Sequence, residues 1–404
     1  MIRILEEVRL IEVADWVFVP SAATALSDWG ADIIKVEHPR LGDPLRGLMH
    51  AGLVAGARGI DFFMAQVARN KRSVGIDLGT DEGRAVLYRL VETADVFLTS
   101  YLPSARQKLH IDYDDIRRIN PKIIYAKGHG QGQKGPDADK GGYDACSFWA
   151  RGAVADRLTP PGQPLIAQRA AFGDLTSGMF LAGGIAAALF RRERTGMGAE
   201  VDISLLAAAC WMMSPDIVAA VTNGFELPRL VTHDSSRNPL AGNYATRDGK
   251  LITLMMLQFE RYWELFAITV GRPDWLNDKR FDSAEKRRAN FPAIVREIAA
   301  EMRKRERTEW EALLRPTECI WASVQSPLEV PNDPQVAANG YLMSYDDGAG
   351  NQTRVAASPL QFDGEGPTVR TRAPQVGEHT EEILLEIGFR WEDLKSLKDR
   401  GVIS

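Results

Sequence analysis

Residues 8–36 read Val8-Arg9-Leu10-Ile11-Glu12-Val13-Ala14-Asp15-Trp16-Val17-Phe18-Val19-Pro20-Ser21-Ala22-Ala23-Thr24-Ala25-Leu26-Ser27-Asp28-Trp29-Gly30-Ala31-Asp32-Ile33-Ile34-Lys35-Val36. Val8–Val13 has the pattern of a buried strand. Ser21–Trp29 is a short helix that Gly30 stops, since glycine accepts the left-handed position at a helix end without strain. Asp32–Val36 is a second strand. Strand, helix and strand in one short stretch make a crossover unit, which pairs its strands in parallel.

The pattern continues outward. Ser73–Ile76 reads as a strand, and Thr80 can cap a helix running to Thr93. Val96–Thr99 and Lys122–Ala126 follow as short, apolar, β-branched strands. The expected fold class is α/β, with a doubly wound parallel sheet covered by helices on both faces. Ligands in such sheets sit at the carboxyl ends of strands. The loops after Val13, Val36, Ile76, Thr99 and Ala126 are therefore the places to expect a site.

The texture changes near Asn223-Gly224. Residues 225–245 are loop-rich, then come a strand (Lys250–Leu254), a helix (Arg261–Val270) and a charged helical block (Arg287–Leu314). This predicts a large domain over 1–225, a smaller α+β domain over 226–325, and a return of 326–404 to the large one. A chain of 404 residues exceeds what one core usually organises, which fits two domains.

With 45% hydrophobic and 25% charged residues, the composition is that of an ordinary globular protein. The net charge of −5 offers no basic field for nucleic acid or an anionic membrane. The longest strongly apolar run, Met179–Phe190, is short for a membrane span. Cys146, Cys210 and Cys319 are isolated and the 6 histidines are scattered. No disulfide framework, zinc site or other metal is expected, and a reducing cytoplasm is the expected location.

Asp174, in Ala171-Phe172-Gly173-Asp174-Leu175-Thr176-Ser177-Gly178-Met179, is the leading candidate for chemistry. It is a lone carboxylate where a loop meets a small-residue helix read from Leu175 to Arg194 and closed by Gly196. It can serve as the N-cap, or as a nucleophile kept ionised and aimed by the helix dipole. Gly130-Gln131-Gly132-Gln133-Lys134-Gly135 matches a dinucleotide glycine pattern, but Pro136 prevents the helix that pattern requires. A substrate loop donating N–H groups to an oxyanion is the better reading of Gly128–Gly135. Basic clusters follow one strand (His38, Arg40, Arg46) and precede another (Lys71, Arg72). Each is either a solvated rim or a clamp for the phosphates of a nucleotide-bearing ligand. Arg106 and Lys108, after Tyr101, add to that side.

In order, Gly30–Glu37, Gly42-Asp43-Pro44-Leu45-Arg46, Asn70–Val74, Asn120-Pro121, Gly130-Gln131, Gly135-Pro136, Gly142-Tyr143-Asp144, Gly173-Asp174 and Gly377-Glu378-His379-Thr380 form a set spread over nearly the whole chain. The set resembles the class III CoA-transferase family, which includes formyl-CoA transferase, carnitine CoA-transferase and α-methylacyl-CoA racemase. The resemblance implies a Rossmann-like large domain, a small domain, an interlocked homodimer, and coenzyme A or acyl-CoA as substrate with no tightly bound cofactor. It places the catalytic aspartate at Asp174. It places CoA contacts at Val17, Phe18, His38, Ile76, Asp77, Leu78, Gly79, Ser100, Tyr101, Leu102, Lys108, Tyr143 and Asp144, beside Arg46 and Arg72.

The implied reaction moves CoA from an acyl-CoA donor to a carboxylic acid through aspartyl anhydride and aspartyl-CoA thioester intermediates. An Asp near its reference pKa of about 3.9 would be ionised throughout and need no general base. The racemase branch has a histidine where this chain has Tyr143, a poor proton shuttle at neutral pH, although His129 lies nearby. A racemase or a non-catalytic CoA-binding homologue are the alternatives. Trp211-Met212-Met213 and Leu254-Met255-Met256-Leu257 are either ordinary core or the lining of a pocket for a bulky acid.

Overall fold

The computed structural model describes residues 3–50, 59–229 and 238–404. Residues 230–237 of the loop-rich 225–245 stretch lie outside it. The chain divides into two compact units, residues 1–159, 164–227 and 334–404, and residues 160–163 with 228–333. Residues 326–333 fall with the smaller unit, where Glu329 pairs with Arg307 at 2.6 Å and Lys250 at 3.1 Å.

In the larger unit, β1 (Arg9–Val13), β2 (Asp32–Glu37), β3 (Lys71–Gly75), β4 (Val96–Thr99), β5 (Ile124–His129) and β6 (Ala199–Ser204) form one sheet. Their order is β3-β2-β1-β4-β5-β6 and every pairing is parallel. The principal helices that cover it are α1 (Phe18–Asp28), α2 (Asp81–Glu92), α3 (Pro103–Lys108), α4 (Tyr113–Ile119), α5 (Phe172–Thr195), α6 (Leu205–Met212) and α7 (Ser214–Asn223). Because successive strand residues face opposite sides, Leu10, Ile33, Leu98 and Ala126 join α1 and α5 in one core. Ile11, Val13, Ile34, Phe97 and Tyr125 join α2, α4 and the Thr380–Glu386 helix in the other. Strands covered on both faces need apolar residues at almost every position, which is why the N-terminal stretch is so legible.

Thr80 caps α2 by accepting the Gly83 N–H at 3.0 Å, and Thr93 closes it, as the sequence predicts. The α5 helix starts earlier than predicted, at Phe172, and ends against Gly196. Its close approach to α1 depends on Gly178, where a methyl group would collide with Ser21 Oγ and the Phe18 carbonyl. At 24 residues α5 is long and apolar enough to cross a bilayer, which corrects the expectation from the Met179–Phe190 run alone. Leu181, Ala182, Ile185 and Leu189 are buried in the core, so its apolarity serves packing.

The smaller unit has an antiparallel sheet of Ala241–Ala245, Leu251–Met255 and Trp321–Ser323. Helices Phe259–Thr269, Phe291–Met302 and Arg307–Leu314 pack around Trp263, Trp275, Phe281 and Trp310. Leu254 and Met256 are fully buried in this core, whereas Met255 and Leu257 are exposed.

Candidate active site

The order of the sheet reverses between β1 and β4, and open parallel sheets bind ligands in the crevice outside the carboxyl ends at such a point. A cavity of about 400 Å³ lies there. Asp15, Trp16 and Phe18 line it from the end of β1, and Ser100, Tyr101 and Leu102 from the end of β4. His129 and Gly130 close it from β5, Gly141–Tyr143 from the following loop, and Asp174 from α5.

The β1 loop rests on buried charge. Lys35 Nζ bonds Glu12 Oε1 at 3.0 Å and Asp43 Oδ2 at 2.8 Å, while Lys71 Nζ bonds Glu12 Oε2 at 2.6 Å. Burial alone would lower the Lys35 pKa, but Asp43, Glu12 and Glu37 overcome it and hold the ammonium well above its usual range. Lys35 donates to the Ala14 carbonyl at 2.7 Å, and Asp43 Oδ1 accepts the Trp16 N–H at 3.1 Å. The Asp15 N–H donates to Ser100 Oγ at 3.0 Å. Burial, then the nearby Asp43 charge, pushes the Asp15 carboxyl up to about 6, with Lys35 and the Tyr101 hydroxyl pulling the other way.

Asp174 is the third residue of α5, so it is not the N-cap that the sequence suggested. Ala171 occupies the cap position in the left-handed conformation (φ 62°) and has no side chain able to cap. The cap comes from Asp144, whose Oδ2 and Oδ1 accept the Gly173 N–H at 2.9 and 3.1 Å. Gly173 has no room for a Cβ, which would collide with Asp144 Oδ1 and the Phe148 ring. Burial, then repulsion from Asp144, raises the Asp174 pKa to about 7. This corrects the expectation of a carboxylate near its reference value. Asp174 lies in the N-terminal turn of α5, where the helix dipole favours negative charge.

The glycines of the β5 loop act through close approach. A Cβ at Gly130 would lie 2.5 Å from the Gly142 Cα, and one at Gly128 would lie 2.8 Å from Phe18 Cε1. His129 Nε2 meets Asp202 Oδ2 at 2.8 Å, an acid–imidazole pair anchored across β5 and β6.

Of the residues predicted to touch CoA, Phe18, Ser100, Tyr101, Leu102 and Tyr143 share the cavity with Asp174. Tyr143 is exposed, and its ring meets Trp16 edge-on at 5.6 Å. Lys108 ends α3, one turn beyond the cavity-lining Ser104 and Ala105, and is exposed. The other positions lie elsewhere. Val17 is buried against Leu45, Met64 and Ala171. His38 Nδ1 accepts the Arg40 and Leu41 N–H groups at 3.2 Å. Arg46 grips Glu37 through two bonds of 2.9 Å, and Arg72 pairs with Asp32, Glu382 and Glu386. Ile76 bridges Ile403, and the Asp77 N–H donates to the Val402 carbonyl. Leu78 is buried in the core beneath, and Gly79 donates its N–H to Asp77 Oδ1 at 2.9 Å. Asp144 is spent on the helix cap.

Asp15 and Trp16 were not singled out in the sequence. Their signal is position, directly after β1 in a loop where a site is expected. Among the described residues, no group of three or more His, Cys, Asp and Glu side chains is placed to hold a metal ion.

The family model described as CoA-transferase family III matches residues 5–380. The chain belongs to this family and is a class III CoA-transferase. It is 31% identical to a (R)-2-hydroxy-4-methylpentanoate CoA-transferase of Clostridioides difficile, over 99% of each chain. It is 28% identical to a cinnamoyl-CoA:phenyllactate CoA-transferase of Clostridium sporogenes, over 98% of this chain and 96% of the relative. A CaiB/BaiF family protein from Brucella suis superposes with a TM-score of 0.81 at 25% identity, covering 94% of this chain and 98% of that one.

Proposed function

We propose that this enzyme moves CoA from an acyl-CoA donor to a hydroxylated monocarboxylic acid, with Asp174 as the covalent carrier. The observation that supports this most is the setting of Asp174, a carboxylate on the first turn of α5 that opens into the switch-point cavity with no Lys or Arg among the described residues of its lining. A carboxylate free of a cation keeps its lone pair available. Its pKa of about 7 makes it more nucleophilic than an exposed Asp while leaving an ionised fraction at neutral pH.

The Asp174 carboxylate attacks the thioester carbonyl, an acyl anhydride forms, and the C–S bond breaks to release CoA thiolate. The thiolate attacks the aspartyl carbonyl of the anhydride and expels the donor acid as carboxylate, leaving an aspartyl-CoA thioester. The acceptor carboxylate then attacks that thioester, breaking its C–S bond to form a second anhydride and release CoA thiolate, which attacks the acceptor's carbonyl and expels the Asp174 carboxylate. Each step exchanges bonds of similar transfer potential, so no ATP is required. Backbone N–H groups of the Gly128–Gly135 loop are the proposed oxyanion donors. The acceptor class follows the named substrates of the two relatives, 2-hydroxy-4-methylpentanoate and phenyllactate, both 2-hydroxy acids.

The alternative is a racemase, in which Asp174 and His129 would exchange an α-proton. His129 lines the same cavity, but its Nε2 is held by Asp202. Incubation with an acyl-CoA, trapping with hydroxylamine and peptide mapping separate the two. A hydroxamate at Asp174 supports transfer. Its absence, together with α-deuterium exchange from solvent, would replace the transferase by the racemase.

An interlocked homodimer is part of the proposal. It is supported by α7, which carries Ile217, Val218 and Val221 yet buries no residue.

A further inference from the structure

Much of the molecule's buried charge converges on one loop. The Ala14 carbonyl, the Asp15 N–H and the Trp16 N–H are each held by a side chain from a different place: Lys35, Ser100 and Asp43. Trp16 is kept at φ 70°, a conformation that costs a non-glycine residue free energy and persists only where its surroundings enforce it. On the β4 side, Arg106 fixes the Tyr101 carbonyl at 2.7 Å. The result is that the Asp15 carboxylate and its Tyr101 hydroxyl partner are presented together to the cavity that also contains Asp174. A dinucleotide-binding sheet has small glycines after β1 to admit phosphate. An aspartate and a tryptophan there do the opposite.

The chemistry of the wall limits what can face it. Among the described residues lining the cavity, Asp15 and Asp174 are the charged ones, and no Lys or Arg joins them. In the transfer reaction the acceptor's own carboxylate must reach the carrier at Asp174. A second carboxylate turned toward Asp15 would meet like charge in a partly desolvated site, which is strongly unfavourable. A neutral group that donates a hydrogen bond is accepted readily. A hydroxyl can also accept from the Tyr101 hydroxyl.

Resting on the transferase reading above, we infer that Asp15 and Tyr101 form the subsite for the hydroxyl of the CoA-accepting acid, selecting hydroxy monocarboxylic acids over dicarboxylates and over acids that lack the hydroxyl. Asp15 is then a specificity residue that contacts substrate, while Ser100, Lys35 and Asp43 position it.

The test uses one acyl-CoA donor and a panel of matched acceptors: 2-hydroxy-4-methylpentanoate in each enantiomer, 4-methylpentanoate, and malate. Wild-type enzyme should favour one hydroxy enantiomer over the unsubstituted acid by at least about ten-fold in kcat/KM, the scale of one hydrogen bond to a charged group. Malate should be a poor acceptor. In Asp15→Ala and in Tyr101→Phe the ratio of hydroxy to unsubstituted acid should collapse toward unity. Equal preference in wild type, a preference for malate, or a parallel fall for both acids in the variants would overturn the subsite. Because hydroxylamine trapping at Asp174 needs only the donor, it is run on the same samples. Trapping without hydroxyl discrimination removes the subsite alone, and no trapping removes the transferase reading itself.

Discussion

The carboxylate of Asp144 caps the helix that presents Asp174, accepting the Gly173 N–H at 2.9 Å through one oxygen and at 3.1 Å through the other. One acid therefore orients the other and also charges its surroundings. The helix gains a cap at the expense of a raised Asp174 pKa.

That coupling fixes a pH dependence. Burial first, and then Asp144, holds Asp174 at about 7, and the nucleophile is its ionised form. Labelling of Asp174 by acyl-CoA should lose rate as pH falls through about 7 and reach a plateau above it. Asp144→Asn keeps an oxygen for the Gly173 N–H but removes the charge, so the acid limb should move to lower pH. Hydroxylamine-trapped peptide, quantified across the pH range, reads both limbs. A limb that stays in place in the variant would rule out the coupling.

The same shift predicts a stability cost. An unfolded Asp titrates near 3.8, so between that value and about 7 the native state holds a proton that the unfolded state has released. Stability from this group is therefore lost as pH rises through that window and stays lost above it. Asp174→Asn should raise the unfolding free energy at pH 8 by about 2 kcal/mol, with the side chain's partial exposure allowed for. The gain should shrink at pH 5. Paired thermal melts at the two pH values, with activity abolished at both, make the measurement. Equal gains would contradict a titrating Asp174.

Arg72 tests where the phosphates do not bind. It sits in the amino half of β3, opposite the carboxyl ends, and pairs with Asp32 at 2.7 Å, Glu386 at 2.7 Å and Glu382 at 3.0 Å. Arg72→Ala should cost about 1 kcal/mol, the worth of a partly exposed ion-pair network. The dissociation constant for CoA, measured by calorimetry, should change less than about two-fold, since loss of a direct phosphate contact would cost more. A large loss of CoA affinity at unchanged melting temperature would return Arg72 to the binding site.

These residues also show what a sequence reveals and what it hides. The β1–α1–β2 unit, the Thr80 cap and the Gly196 stop are local signals, in which each residue acts on chain within a few positions of itself. All were legible. The cap of α5 was not, because Asp144 is distant in sequence from Gly173 and the local carboxylate at Asp174 imitates a cap. Arg46 and Arg72 look like free cations until the fold brings Glu37, Glu382 and Glu386 beside them. Asp15 lay in a loop expected to hold a site, but its significance depends on Ser100, Tyr101, Lys35 and Asp43, which only the sheet assembles.

The last prediction concerns assembly. Val218 and Val221 on α7 are 61% and 80% exposed, and Trp211 on α6 is 72% exposed. A helix that leaves large apolar side chains exposed and buries none of its residues fully marks a candidate partner surface. If that partner is a second copy, wild-type protein should sediment as a dimer. Val218→Asp with Val221→Glu should weaken dimerisation by at least about 100-fold, since each introduces an unpaired charge into an apolar interface. As neither side chain is buried within the larger unit, the variant's secondary structure by circular dichroism should match wild type. A wild-type monomer, or a variant that remains fully dimeric, would place the contact elsewhere.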